Sequence, residues 1–398
     1  MTTAEVLSFP FRSGDPLQPP AEYARLRAEG PLTRVTLPTG DPAWLVTRHA
    51  EVRAVLSDAR FSREAITAPG APRLLPIAQG SKSIFVMDPP EHTRLRRLVS
   101  RAFSTRRIAA LRPRVQQLTD DLLDAMAGGP QPADLMTGLA QPLPITVICE
   151  MLGVPYADVA QFRAWTDIML SFDANRRDEV LAARNHLNDY LTELIEQKRR
   201  NPTEDLLMVL IGAREEGDGL SQEELLAFGY TLLGAGYHAT TSGIAHSVLM
   251  LLRAPAQWER LRADRSLVPS AVEELLRLSQ AGGGLGALRI ALADVEVGGV
   301  LVRAGEAILP SINAANRDPE AFAEPDVLDV SRKPNLHVAF GYGIHHCLGA
   351  QLGRMELEIA LGGLLDRMPK LALAGSESEL HWSAGVAFSR PAELPVTW

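Results

Sequence analysis

Cysteine is almost missing from this chain: Cys149 and Cys347 are the only two in 398 residues. Two cysteines so far apart make neither a disulfide framework nor a paired metal knuckle, and a reducing cytoplasm is the expected setting. Long apolar runs are missing too. No stretch reaches the roughly 18 apolar residues that a membrane span needs. The first twenty residues, MTTAEVLSFPFRSGDPLQPP, hold no run of the signal-peptide kind. A soluble, unanchored chain is therefore expected. A basic excess is also absent. The net charge of −8 and pI near 5.7 argue against a surface built throughout to grip nucleic acid. No repeat, low-complexity tract or linker-like run divides the sequence, so a single domain over residues 1–398 is expected. A monomer is expected as well.

What is present is a globular composition, with 46% hydrophobic and 22% charged residues, enough to bury a large core. Helical periodicity dominates over 106–126, 139–152, 180–199, 222–252, 269–278 and 348–365. Strand-like segments are few: 33–37, 43–47, and the VEVGGVLV of 295–302, which predicts a hairpin turning on Gly298-Gly299. The fold class expected is mainly α with a small β region. The stretch from Glu64 to Ser83 is long and rich in Gly, Pro and Ala, a composition that suits a functional loop or lid.

The segment FGYGIHHCLG, Phe340–Gly349, runs at once into the helical pattern AQLGRMELEIALGGLL. A cysteine just ahead of a helix N-terminus is biased toward thiolate by the helix dipole and unpaired backbone N–H groups. Gly341, Gly343 and Gly349 would let the backbone turn tightly and approach a flat ring. The segment resembles the heme-binding loop of the cytochrome P-450 family, F-x-x-G-x-x-x-C-x-G, with every fixed position filled. That resemblance implies a helical body around a buried heme b (iron protoporphyrin IX), Cys347 as the axial iron ligand, and O2 as co-substrate. Phe340, Gly341, His345 and Gly349 would line the cofactor. A thiolate ligand pushes electron density onto iron and favours O–O cleavage.

The resemblance extends along nearly the whole chain. Glu274 and Arg277, three apart on one helix face, are similar to the family's E-x-x-R pair. With Arg332, in LDVSR, they would form a buried structural network. Heme propionates need cations or strong donors. His92 and Arg96 stand four apart in DPPEHTRLRRLVSRAF and resemble the family's H-x-x-x-R pair; Arg289 and His345 match its other propionate positions. Cys149, in the apolar PLPITVICEMLGVP, reads as a packed core residue.

One motif departs from the family. LLGAGYHATTSG resembles the oxygen-activating helix, whose small residues, here Ala235 and Gly236, would let it approach the heme and open locally. Aligned without a gap, however, the family's acid falls on His238 and its threonine on Ala239, which cannot donate a hydrogen bond. Thr240 and Thr241 point to other faces at about 100° per residue, while Ser242 lies about 60° from Ala239. Three readings stay open. His238 could relay protons near neutral pH; the substrate could supply the missing hydroxyl; or the reaction could be one less dependent on proton delivery, such as oxidative coupling or a peroxide-supported oxidation. A shifted alignment, with Thr240 as the alcohol, is a fourth.

Residues 91–114 carry Arg94, Arg96, Arg97, Arg101, Arg106, Arg107, Arg112 and Arg114 against one acid. The resemblance implies ferredoxin and ferredoxin reductase as partners, and an acidic ferredoxin suits a basic patch. It also implies substrate contacts from 66–85, 164–172, 232–239, 284–287 and 386–388. Ile84, Phe85, Phe172, Leu232, Leu233, Leu285, Gly286 and Phe388 are the candidates, and their apolar character points to a hydrophobic small molecule of specialised metabolism. Two rival classes remain: a zinc module built on His345, His346 and Cys347, which lacks the usual ligand spacing, and a non-catalytic heme sensor.

Overall fold

Helical periodicity and proline punctuation account for most of the architecture. The structure is a computed structural model describing residues 7–74, 83–169, 176–203, 205–215, 220–282, 287–383 and 388–398. It divides into two compact units, Met1–His92 with Glu273–Cys347, and Thr93–Val272 with Leu348–Trp398.

The first unit holds a six-stranded sheet. Its strands run in the order Leu7–Ser8, Leu32–Thr36, Pro42–Val46, Ala307–Pro310, Arg289–Ala291, Phe61–Ser62. Leu32–Thr36 and Pro42–Val46 pair antiparallel with Leu32 opposite Val46, and Pro42–Val46 runs parallel to Ala307–Pro310 with Ala43 opposite Ala307. Alternation along the strands sends Leu45 and Leu309 into one apolar cluster and Val46 and Ile308 into another, as a period of two requires. Arg289 opens its strand opposite Ile308. The expected hairpin is present: Val295–Val297 pairs with Val300–Val302, and Gly298 and Gly299 both take positive φ, 56° and 81°, as a tight two-residue turn demands.

The expected buried network is in this unit. Glu274 has no exposed side-chain surface; Arg277 donates to both its oxygens at 2.8 Å. Arg332 Nε donates to the same carboxylate at 2.9 and 3.0 Å, the Asp329 N–H at 3.1 Å and Asn335 Nδ2 at 3.1 Å. Arg277 also donates to the Asn316 and Pro325 carbonyls. One helix is thereby tied to two loops.

The second unit is helical apart from a small sheet of Ala133–Asp134, Pro395–Thr397 and Ala372–Leu373. The segment expected as one helix over 139–152 is divided into a π-helical turn, Met136–Ala140, and a helix, Pro142–Leu152. Pro142 is the reason: proline lacks an N–H and is tolerated only in a first turn. The long helix Gln222–Arg253 starts with a full capping box, the Ser221 side chain accepting from the Glu224 N–H and Glu224 from the Ser221 N–H. It is buried nearly all round. A Cβ added at Gly229 would lie 2.9 Å from Leu191, and one at Gly236 2.6 Å from Ile148; at Gly243 it would meet Leu357 at an ordinary 3.7 Å. The first two glycines let the helices Arg177–Arg200 and Pro142–Leu152 approach. The helix Ala350–Arg367 is bound to Thr105–Ala127 by Arg367 with Asp120 and Asp124, and by Arg112 with Glu358.

The expected lid region begins with a short 3₁₀ turn, Glu64–Thr67, while 75–82 lie outside the described residues. Among the described residues no helix is long and apolar enough to cross a membrane.

Burial alone would raise the Glu274 carboxyl, but the hydrogen bonds and charge of Arg277, then of Arg332, outweigh it and hold the group below its ordinary value. Its stabilisation is therefore complete above the unfolded carboxylate range and is lost as pH falls through the folded value. Glu274→Ala leaves two cations without their anion and should cost about 3–5 kcal/mol. Chemical unfolding monitored by circular dichroism checks this; a loss within experimental error of zero would show that the network is not structural.

Candidate active site

The cysteine loop belongs to the first unit. Cys347 is exposed, and its N–H donates to the Phe340 carbonyl at 2.8 Å, closing the loop on itself. Gly341 and Gly343 have φ of 73° and 72°, conformations that L side chains rarely adopt. At Gly343 a Cβ would also stand 2.5 Å from the Leu56 carbonyl. Gly349 is different: it caps the following helix at φ −85°, open to any residue, so the expected backbone need for glycine there does not hold. Among the described residues no group of three or more His, Cys, Asp or Glu side chains could hold a metal ion, which leaves the zinc reading without a ligand set.

The same unit gathers two histidines and two buried arginines. The rings of His92 and His345, assigned from sequence to one role, lie 4.2 Å apart. Arg289 is buried and donates to the Ala287 and Leu288 carbonyls at 3.0 and 3.1 Å. Burial, then the like charge of Arg63, pushes its guanidinium well below the ordinary value. Arg63 was not singled out by the sequence. It is buried beside Asp88, burial lowers it to about 10, and its Nε has no hydrogen-bond partner among the described residues. Arg63 is thus a buried guanidinium with one nitrogen unpartnered among the described residues, an arrangement that can take an anion. Carboxylate groups at the edge of a flat cofactor fit this donor set. A lone arginine outside any motif carries no signal in one sequence; only the sheet pairing of Phe61–Ser62 with Arg289–Ala291 brings Arg63 to Arg289.

In the second unit the long helix carries the other half of the candidate residues. Between Leu232 and Leu251 all its side chains are buried except Ala235, Gly236 and Ala239, which are half-buried. They sit at i, i+1 and i+4 and form one patch of small residues. The helix is continuous over its whole length, so the expected local opening is not present. Gly236 is explained by Ile148 packing against it.

His238 needs correction. It faces away from solvent between Arg390, whose Nη1 donates to Nδ1 at 2.6 Å, and Asp167, whose Oδ1 lies 3.5 Å from Nε2. Arg390 Nη2 also donates to Asp167 at 3.3 Å. Burial, then the Arg390 charge, pushes the imidazole down to about 3, so it does not titrate near neutral pH as expected of a relay. It is a clamped, neutral ring. Ser242 is wholly buried and its Oγ has no partner among the described residues.

Of the substrate candidates, Ile84, Leu232 and Leu233 are buried, and Leu233 has no exposed surface, so it serves the core rather than a binding wall. Phe85 is exposed and Phe388 half-buried. Phe172, Leu285 and Gly286 lie outside the described residues. The three segments of this unit expected to touch substrate are not only apolar: Asp167, His238 and, two residues beyond Phe388, Arg390 form one polar cluster.

The arginine patch is partly neutralised. Arg94 pairs with Glu224, Arg112 with Glu358 and Arg114 with Glu150. Arg97, Arg106 and Arg107 are exposed, and Arg96 is half-buried. Cys149 has no exposed surface, and burial raises its thiol to about 12, as suits a core residue.

The sequence profile of the cytochrome P450 family matches residues 145–369. The chain is 51% identical to nocardicin C N-oxygenase of Nocardia uniformis subsp. tsuyamanensis and 45% identical to mycinamicin IV hydroxylase/epoxidase of Micromonospora griseorubida, in each case over 100% of both chains. The cytochrome P450 hydroxylase from the leinamycin biosynthetic pathway of Streptomyces atroolivaceus has the same fold. Its TM-score is 0.94 at 45% identity, over 99% of this chain and 100% of that one. With the cysteine loop, the E-x-x-R network and these likenesses in hand, the chain belongs to the cytochrome P450 family and is a heme-dependent monooxygenase.

Proposed function

We propose that this monooxygenase oxidises a predominantly apolar natural-product intermediate, drawing electrons from a ferredoxin and its reductase. In this reading residues 1–398 work as one catalytic domain, since each compact unit is built from two separated chain segments. The cofactor is heme b: with cysteines only at 149 and 347 and no Cys-x-x-Cys-His, thioether attachment has no basis.

Heme bound through a thiolate supplies the activation of O2. The chain's own residues bind and orient. Cys347 offers its sulfur from a loop held by the Phe340 carbonyl and two left-handed glycines. His92, His345, Arg96, Arg289 and Arg63 would neutralise the propionates, and Arg63 is the observation that carries the reading: a buried guanidinium beside Asp88 whose Nε has no partner among the described residues. Ala235 and Ala239 leave room beside the long helix. Arg97, Arg106 and Arg107 face outward and suit an acidic electron donor.

A second reading, oxidative coupling or a peroxide-supported oxidation on the same heme, draws support from Ala239, which has no hydroxyl to hold water.

The reduced protein with carbon monoxide should show the strongly red-shifted thiolate band, and Cys347→Ser should abolish it. A histidine-type band in the wild type would overturn the assignment. Arg63→Gln should pass heme to apomyoglobin faster than wild type, with unfolding unchanged; an unaltered transfer rate would remove Arg63 from the propionate set. Ferredoxin affinity should weaken as salt rises, and Arg106→Glu with Arg107→Glu should weaken it several-fold at low salt. Salt-independent binding would show that this patch is not the docking surface.

A further inference from the structure

Three elements of the second unit meet at one carboxylate. Asp167 comes from the helix Val159–Met169, Tyr237 and His238 from the long helix, and Arg390 from the C-terminal segment. The groups around Asp167 hold it loosely. Arg390 Nη2 donates to it at 3.3 Å, His238 Nε2 lies at 3.5 Å and Arg163 Nε at 4.0 Å, all beyond the roughly 2.7–2.9 Å of a closed charge-assisted bond. Glu274, by contrast, is gripped by Arg277 at 2.8 Å. Burial also raises the Asp167 carboxyl above its ordinary value, which weakens its hold on the cations further.

Donors outnumber acceptors in this cluster. Arg390 Nη1 donates to His238 Nδ1 at 2.6 Å; a guanidinium can only donate, so Nδ1 carries no proton and the neutral ring keeps its hydrogen on Nε2. That N–H is buried, and no acceptor stands at hydrogen-bonding geometry from it among the described residues. The Tyr237 hydroxyl, wholly buried and lying toward Asp167, likewise closes no bond there. Arg390 spends only part of its guanidinium on His238 and Asp167 and has further N–H groups to give. Buried donors without acceptors are costly. Asp167 is the acceptor they share, and its side chain is 37% exposed, so it can turn out to solvent. With the imidazole neutral, Arg163 and Arg390 then face an incoming group as two cations. The cluster also borders the small-residue patch: at about 100° per residue His238 is about 60° from Ala235, and Ala235 and Ala239 are half-buried.

We propose that Arg390, with the His238 Nε2–H and the Tyr237 hydroxyl, binds a carboxylate of the substrate, which takes the place of Asp167 in this cluster. The substrate class is then a predominantly apolar acid, its anion held beside the long helix and its apolar body lying against Ala235 and Ala239. The assignment deepens the natural-product reading above and rests on it. Arg390 sets specificity and orientation and takes no part in the oxidation. His238 fixes Arg390 and lends its own N–H, so the helix position that resembles the family's acid serves recognition here.

Isothermal titration calorimetry of the holoenzyme with saturated fatty acids from octanoate to palmitate, each paired with its methyl ester, keeps the apolar body constant and varies the charge. At neutral pH the acid should bind about tenfold or more tighter than its ester at the lengths that fit, the scale of one hydrogen bond to a charged group. Arg390→Gln should remove that preference and leave the ester affinity as in wild type. Asp167→Asn withdraws the competing charge and should tighten the acid several-fold. A merely structural loss cannot produce that gain, so Asp167→Asn carries the test if Arg390→Gln fails to fold. A panel in which no acid binds better than its ester, a preference that survives Arg390→Gln, or an acid weakened by Asp167→Asn would each overturn the proposal. Equal weakening of acid and ester in Arg390→Gln would make Arg390 a fastener only, and would overturn it too. Absence of the thiolate band with carbon monoxide would instead overturn the monooxygenase reading, on which the calorimetric preference does not depend.

Discussion

Charge taken out of water must be met by opposite charge or hydrogen bonds, and the structure meets that requirement to different degrees in different places. Around Glu274 it is met in full, by two guanidinium groups, a backbone N–H and an amide. That completeness gives a rigid structural node. Around Arg63 it is met in part, by Asp88, with Nε left unpartnered among the described residues. Around Arg390 it is met loosely, by Asp167 and the neutral ring of His238. Fully balanced, such groups hold a fold together; incompletely balanced, they mark the places where an anion has business.

The long helix shows how one element serves packing and chemistry together. Its glycines at 229 and 236 admit neighbouring helices that a Cβ would obstruct, and its apolar surface is otherwise consumed by the core. What remains uncovered is a small-residue patch one turn long. His238, beside that patch in sequence, is turned toward Asp167 and Arg390, and the pairing makes it a fastener between helix and C-terminal segment. Its neutrality follows from burial beside a fixed cation.

Much of this was legible in the sequence because it is local. Helix periods, the Gly298-Gly299 turn and the cysteine loop depend on neighbours within a few residues. The E-x-x-R pair was legible for the same reason, and Arg332 joined it through a motif at fixed order. Where local reasoning missed, a distant residue decided the outcome. Gly236 was read as room for a cofactor, but Ile148 packs against it. Leu233 was read as a binding wall, but it has no exposed surface. Three arginines of the basic run were read as free for a partner, but acids over 30 residues away in sequence neutralise them.

The sequence by itself therefore determined the fold class, the family and the cysteine that marks the site, because spacing along a chain sets periodicity and motif geometry. Only the tertiary structure decided protonation and charge balance: that His238 is neutral, that Arg63 stands beside Arg289, and that Arg390 reaches His238 and Asp167. Those properties follow from desolvation and from the distance between groups remote in sequence, and neither quantity exists until the chain has folded.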